Sequence, residues 1–238
     1  MFYFLTSSLL KGRSPELDNT NDLADEIAYR CQGERKAVFV CANPFHYEGN
    51  ERFGSTVKSA LENSGIQFSS YQILDGRNER DAEELIQESD LVILSGGHVP
   101  TQNAFFRRIG LKDLLGTFYG TLIGISAGTM NCARIVYAQP ELEGEASDEG
   151  YLKFLPGLAV TQTKIIPHYN ETKDLILDGM KLFDDITIPD SIGHRFYALC
   201  DGSYIMGDGS MEMLCGEAYL IEDGRISLIS SADEKKYI

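Results

Sequence analysis

Basic residues are in short supply in this sequence. Lysine and arginine number 21 against 36 aspartates and glutamates, a formal charge of -15 in 238 residues with a pI near 4.6. A surface of that sign repels phosphate backbones and anionic lipid, so neither nucleic acid nor a membrane is an expected partner. Paired cysteines are missing too. Cys31, Cys41, Cys132, Cys200 and Cys215 are odd in number and widely spaced, with no Cys-x-x-Cys and no Cys/His cluster to suggest zinc. Reduced thiols in a cytoplasm are the default expectation. No apolar run is long enough to span a bilayer. Residues 2–10 are apolar but short, lack a basic leader and have no small-residue cleavage site, so they read as a first buried strand rather than a signal peptide. There is no internal repeat or low-complexity tract. What remains is 43% hydrophobic and 24% charged, the composition of a globular chain. Its length suits one α/β domain over residues 1–238 with a sizeable core.

The apolar patterning alternates between strand and helix. Strands are expected at 2–6, 36–41, 66–74, 91–94 and 121–125. Helices are expected at 21–30, 51–63, 81–88, 101–118 with a break near Gly110, and 127–134. The 91–94 stretch is apolar throughout, as in a parallel strand buried on both faces. Such alternation predicts a doubly wound, mainly parallel sheet with right-handed crossovers, whose ligands collect at the carboxyl ends of the strands. Gly96-Gly97 and Ser126 both fall at such ends and can share one crevice. Residues 139–150 read as an acidic surface loop. A strand at 158–166 and a helix at 173–182 follow. Beyond Arg195, short strands separated by Asp201-Gly202, Asp208-Gly209 and Asp223-Gly224 form a meander, read as an antiparallel extension of the main sheet.

Gly124-Ile125-Ser126-Ala127-Gly128 lies at a strand-to-helix turn. A serine between two glycines there is the pattern of a nucleophile elbow, because the sharp turn tolerates little bulk. The hydroxyl stands clear of the sheet, and the Ala127 amide can face a developing oxyanion. A tight turn with an exposed serine is the plainer reading of the same five residues. A nucleophilic serine needs a base, and the chain holds only four histidines: His46, His98, His168 and His194. His168 follows Pro167 at a strand end, a rigid place for a base. His98, next to Gly97, is its local rival. Asp201, before Gly202, is a candidate carboxylate, although Asp-Gly is also ordinary hairpin chemistry.

Four stretches in this order carry a resemblance: Leu94-Ser95-Gly96-Gly97, the Ser126 pentapeptide, Ile166-Pro167-His168-Tyr169 and Ala198-Leu199-Cys200-Asp201-Gly202. Together they resemble the serine dipeptidase family that contains dipeptidase E (aspartyl dipeptidase) and cyanophycinase, over roughly residues 36–220. The resemblance implies a flavodoxin-like, class I glutamine amidotransferase-like sheet. It implies Ser126 as nucleophile, His168 as base, and Gly97 and Ala127 as oxyanion-hole amides. It leaves two acids open as the third member. One is Asp201, where relatives can have glutamate; the other is Glu141, fifteen positions past the serine, with Glu143 close by. With Asp201 the order differs from an ordinary α/β-hydrolase, in which the acid precedes the histidine. No metal or organic cofactor is required. The implied substrate is a short peptide with N-terminal aspartate, which would want a cation in the pocket. Lys164, four positions before His168 on an expected strand, is a candidate substrate contact, with Gln102 and Asn103 behind it. The segment around them reads His98-Val99-Pro100-Thr101-Gln102-Asn103, a departure from the Gly-Asn-Thr-Phe type of dipeptidase E that leaves substrate choice open. A different serine acyl hydrolase (an esterase or amidase) and a non-catalytic peptide-binding relative stand as alternatives. A homo-oligomer stays open.

Overall fold

The computed structural model describes residues 1–12 and 14–238. Strand β1 (Phe2–Thr6) leads through helix α1 (Leu23–Arg30) to β2 (Glu34–Val40), and α2 (Tyr47–Asn63) leads on to β3 (Gln67–Leu74). Helix α3 (Ala82–Gln87) precedes β4 (Leu91–Leu94). The paired helices α4 (Val99–Arg108) and α5 (Leu111–Gly116) precede β5 (Thr121–Ile125). The break between α4 and α5 falls at Gly110, whose φ of 65° is in the left-handed region that glycine enters without strain. These five strands pair in parallel in the order β1-β5-β4-β2-β3. Every residue of β4 is buried. Val92 and Leu94 pack with Leu5, Val38 and Val40 on one side of the sheet, while Leu91 and Ile93 pack with Phe4, Phe39 and Ile123 on the other. An unbroken apolar run therefore serves two cores at once. Truncating such a side chain, as in Ile93→Ala, costs about 2–5 kcal/mol.

Helix α6 (Ala127–Asn131) follows β5 and is shorter than expected, because the chain turns into β6 (Ile135–Tyr137), which pairs with β7 (Phe154–Pro156). The expected strand at 158–166 is reduced to β8 (Ile165–Ile166). After α7 (Tyr169–Thr172), the expected helix at 173–182 is replaced by a small hairpin, β9 (Ile176–Leu177) and β10 (Met180–Lys181). Asp178-Gly179 makes its turn with positive φ at both residues, 52° and 82°. That is two-residue hairpin chemistry, and it outweighs the apolar spacing that suggested a helix. A π-helical turn (Leu182–Thr187) and α8 (Ile188–Asp190) complete this segment.

The later strands are β11 (Arg195–Leu199), β12 (Tyr204–Gly207), β13 (Glu212–Cys215), β14 (Ala218–Glu222), β15 (Arg225–Ser230) and β16 (Lys235–Tyr237). They do not all extend the main sheet. β12, β13 and β16 add antiparallel beside β1, giving eight strands. β11, β14 and β15 form a second sheet with β8, and β8 runs parallel to β11. Tyr137, Ile166, Phe183, Phe196 and Ile221 form a separate apolar core on this second sheet. Among the described residues no helix is long and apolar enough to cross a membrane. All five cysteines are free and buried.

Candidate active site

The two sheets meet where several strands end. Because β4 and β5 are parallel neighbours, the Gly96-Gly97 turn lies against Ser126, with room for a Gly96 Cβ only 3.6 Å from the Ser126 Cβ. Ser126 takes φ 49° and ψ -108°, a conformation that costs on the order of 1–3 kcal/mol for a residue with a side chain. The surroundings hold it there. The Ser126 amide donates to the Thr6 carbonyl at 3.1 Å, and the Gly128 amide donates to Ser95 at 3.1 Å. The flanking glycines are demanded by close approach: a Cβ at Gly128 would lie 2.5 Å from the Leu94 carbonyl oxygen, and one at Gly124 2.9 Å from Thr129.

His168 follows β8 and Asp201 follows β11. The parallel pairing Ile166 to Ala198 carries both to the same end of the second sheet. His168 also takes a left-handed conformation, φ 57°, just before α7. Its Nε2 lies 3.0 Å from the Ser126 hydroxyl, and its Nδ1 lies 2.7 Å from the Asp201 carboxylate. Ser7, at the end of β1, ties the three elements together. Its hydroxyl donates to Asp201 at 2.8 Å and accepts from the His168 amide at 2.8 Å. Asn170 accepts from the Asp201 amide at 3.0 Å. Sequence reasoning missed both residues, because contacts across such long separations leave no local sign.

The electrostatics follow from these bonds. Burial disfavours the charged imidazole, but the Asp201 hydrogen bond and charge, aided by Glu171 and Glu141, outweigh it and raise the His168 pKa. Burial likewise opposes the Asp201 carboxylate, and the His168 bond and charge with the Ser7 hydroxyl hold its pKa below the usual range. The pair is thus biased toward imidazolium-carboxylate, the state a general base reaches after taking a proton. His168, Glu171 and Asp201 are also the group whose ligand atoms lie within 4.8 Å of one another. His168 Nδ1 is already committed to Asp201 there.

Glu141 does not bond to His168. It lines the same cavity, a volume of about 220 Å³ that also has Ser126, Met130, Gln139, Leu175 and Leu182 on its walls. Glu141 retains solvent exposure, yet the protein crowding its carboxyl, together with Glu145, pushes its pKa up to about 7. The loop that carries it is pinned by side chains. Glu145 accepts from the Glu141 and Leu142 amides at 2.9 Å and lies 2.8 Å from His98 Nε2. Asp178 of the β9-β10 hairpin accepts from the Gly144 and Ala146 amides. His98, the rival base, thus has its second ring nitrogen on Thr101 and is fully engaged as a loop anchor. The His194 ring packs tilted against Phe154, and His46 precedes α2.

Gly97 sits at φ 149°, where a Cβ would lie 2.5 Å from the Ala42 Cβ. Among the described residues neither its amide nor that of Ala127 has an acceptor within the protein, so both are free to serve an oxyanion. Three expected substrate contacts do not reach the cavity wall. Gln102 and Asn103 are buried, at 0% and 4% exposure. Gln102 donates to the Ser95 carbonyl and accepts from Asn131, and Asn103 donates to Asn131 and to the Pro156 carbonyl. Their amides are consumed in supporting α6 from behind. Lys164 directly precedes β8, with its carbonyl bonded to Tyr197 of β11, and it is not among the residues that line the cavity. A larger cavity of about 700 Å³, walled in part by Arg30, Arg35 and Asp90, lies at the amino ends of the strands and holds none of these groups.

Comparison with known proteins gives a family and a fold. Residues 4–210 match the family described as Peptidase family S51, and the chain belongs to that family. No curated protein matched the chain. A 1.5 Å crystal structure of a candidate peptidase E protein from Listeria monocytogenes EGD-e is similar in fold, with a TM-score of 0.60 and 17% identity over 96% of this chain and 98% of that one.

Proposed function

We propose that this member of peptidase family S51 is a serine peptidase of the dipeptidase E type, acting on short peptides through Ser126, His168 and Asp201. The observation that carries the reading is the continuous chain of contacts from the Ser126 hydroxyl to His168 at 3.0 Å and on to Asp201 at 2.7 Å. His168 takes the Ser126 proton as the oxygen attacks the scissile carbonyl. The Gly97 and Ala127 amides hold the oxyanion; one such donor contributes on the order of 10²-fold or more. His168 then protonates the leaving amine. Water, activated by the same ring, releases the acyl group and restores Ser126. Asp201 fixes the tautomer and stabilises the imidazolium; Glu141, which makes no bond to the ring, acts elsewhere in the cavity. An N-terminal aspartate, the side chain implied by family resemblance, has no cation to meet among the residues that line this cavity. The small volume favours one residue and its neighbour over a long chain.

The test is chromatographic detection of free amino acids after incubation with a dipeptide panel, for the wild type and Ser126→Ala. Cleavage lost in the variant supports the proposal, and equal cleavage by both ends it. An ester panel in parallel separates the peptidase from a general serine acyl hydrolase.

A further inference from the structure

Most of the cavity that does not react is apolar. Away from Ser126 and His168 its walls are Met130, Pro140, Pro167, Leu175 and Leu182, with Gln139, Glu141 and Thr172 as the polar members; Met130 and Leu182 are nearly inaccessible to solvent, while Leu175 is partly exposed. No lysine or arginine lines it. The cations near the site in sequence do not line it. Arg108 pairs with Glu79 at 2.6 Å, Arg107 lines a separate cavity with Phe106, and Lys173 is exposed beyond Thr172. A carboxylate side chain entering here would shed water, meet no positive partner and face Glu141, a costly combination. An aliphatic side chain would gain burial at no such cost.

Glu141 has the complementary need. Among the described residues it forms no salt bridge, and it shares its loop with Glu145, whose own charge is taken up by His98 and two amides. A carboxylate crowded by protein and by a second carboxylate is relieved by an arriving cation. In a peptide cut after its first residue, the α-ammonium sits close to the scissile carbonyl, on the scale of the distance between walls in a cavity this small. We infer that the site selects peptides with a free N-terminal ammonium, held by Glu141, and an apolar first side chain, received between Met130, Leu175 and Leu182. This rests on the serine peptidase reading and names its substrate class.

The experiment compares kcat and KM for Leu-Ala, Asp-Ala and N-acetyl-Leu-Ala, on wild type and Glu141→Gln, with fluorophosphonate labelling of wild-type Ser126 read alongside. Leu-Ala is expected to exceed Asp-Ala in kcat/KM by on the order of 10²-fold. Acetylation is expected to cost about 10- to 100-fold, mainly in KM. In Glu141→Gln that acetylation penalty is expected to shrink to about 2-fold, an effect that a purely structural role for Glu141 would not produce. Asp-Ala cut as well as Leu-Ala, or an acetylation penalty unchanged by Glu141→Gln, overturns the inference. Ser126 labelled with no dipeptide cleaved overturns it while leaving the serine nucleophile standing. No labelling and no cleavage overturns both.

Discussion

Ser126 and Glu141 line one cavity, but they are held by different means. Ser126 sits at the end of a strand buried on both faces, and its amide bond to Thr6, with that of Gly128 to Ser95, fixes its direction. Glu141 sits on a loop tied down mainly by side chains, through Glu145, His98 and Asp178. The first arrangement resists perturbation because moving it means breaking the sheet. The second can shift when any one of three contacts is lost. On the proposed reading, reaction chemistry sits on the rigid half and selectivity on the adjustable half.

The contrast predicts a graded series. Ser126→Ala should abolish turnover, by on the order of 10⁶-fold, the loss seen when serine hydrolases lose their nucleophile, with an unchanged thermal unfolding midpoint. Asp201→Asn should lower kcat by on the order of 10⁴-fold and also move the pH profile. Only the neutral imidazole accepts the serine proton, so activity falls as pH drops through the His168 pKa. That pKa is raised, chiefly by the Asp201 bond and charge against the opposing effect of burial. The acid limb of kcat/KM should therefore lie above the ordinary histidine value of about 6.5, and in Asp201→Asn it should move to lower pH. Gly97→Ala forces a Cβ toward Ala42 and displaces an oxyanion amide; a loss of about 10²-fold in kcat with KM nearly constant is expected from steady-state kinetics. Asp178→Ala tests the other half. It frees the loop from the hairpin and should raise KM by only about 2- to 5-fold, with kcat held, because the exposed contacts it breaks are worth about 1 kcal/mol. A kcat loss in Asp178→Ala as large as that in Gly97→Ala would erase the distinction between the two halves.

The same division governs how much could be read from the sequence. The parallel sheet was legible because residues 91–94 and 121–125 are short apolar runs with glycine turns directly after them, a local pattern with a local cause. The elbow was legible for the same reason. His168 stood out among four histidines through Pro167. Its contact with Ser7 joins positions 161 apart and leaves no local trace. The split of the later strands between two sheets depends on which partner each finds, and alternation alone does not specify that. The helix expected at 173–182 gave way to the Asp178-Gly179 hairpin turn, whose dipeptide was in plain view. Gln102 and Asn103 follow the glycine turn, a position that from sequence suggests they face the substrate. Helix α4 instead turns them inward to Asn131, a choice made by packing.

The central claim is that His168 activates Ser126. Intact-mass spectrometry after exposure to a fluorophosphonate probe tests it most directly, on the wild type, Ser126→Ala and His168→Ala. A single adduct on the wild type that is lost in both variants is the predicted result. An adduct that persists in His168→Ala at the wild-type rate, or in Ser126→Ala at all, would contradict it.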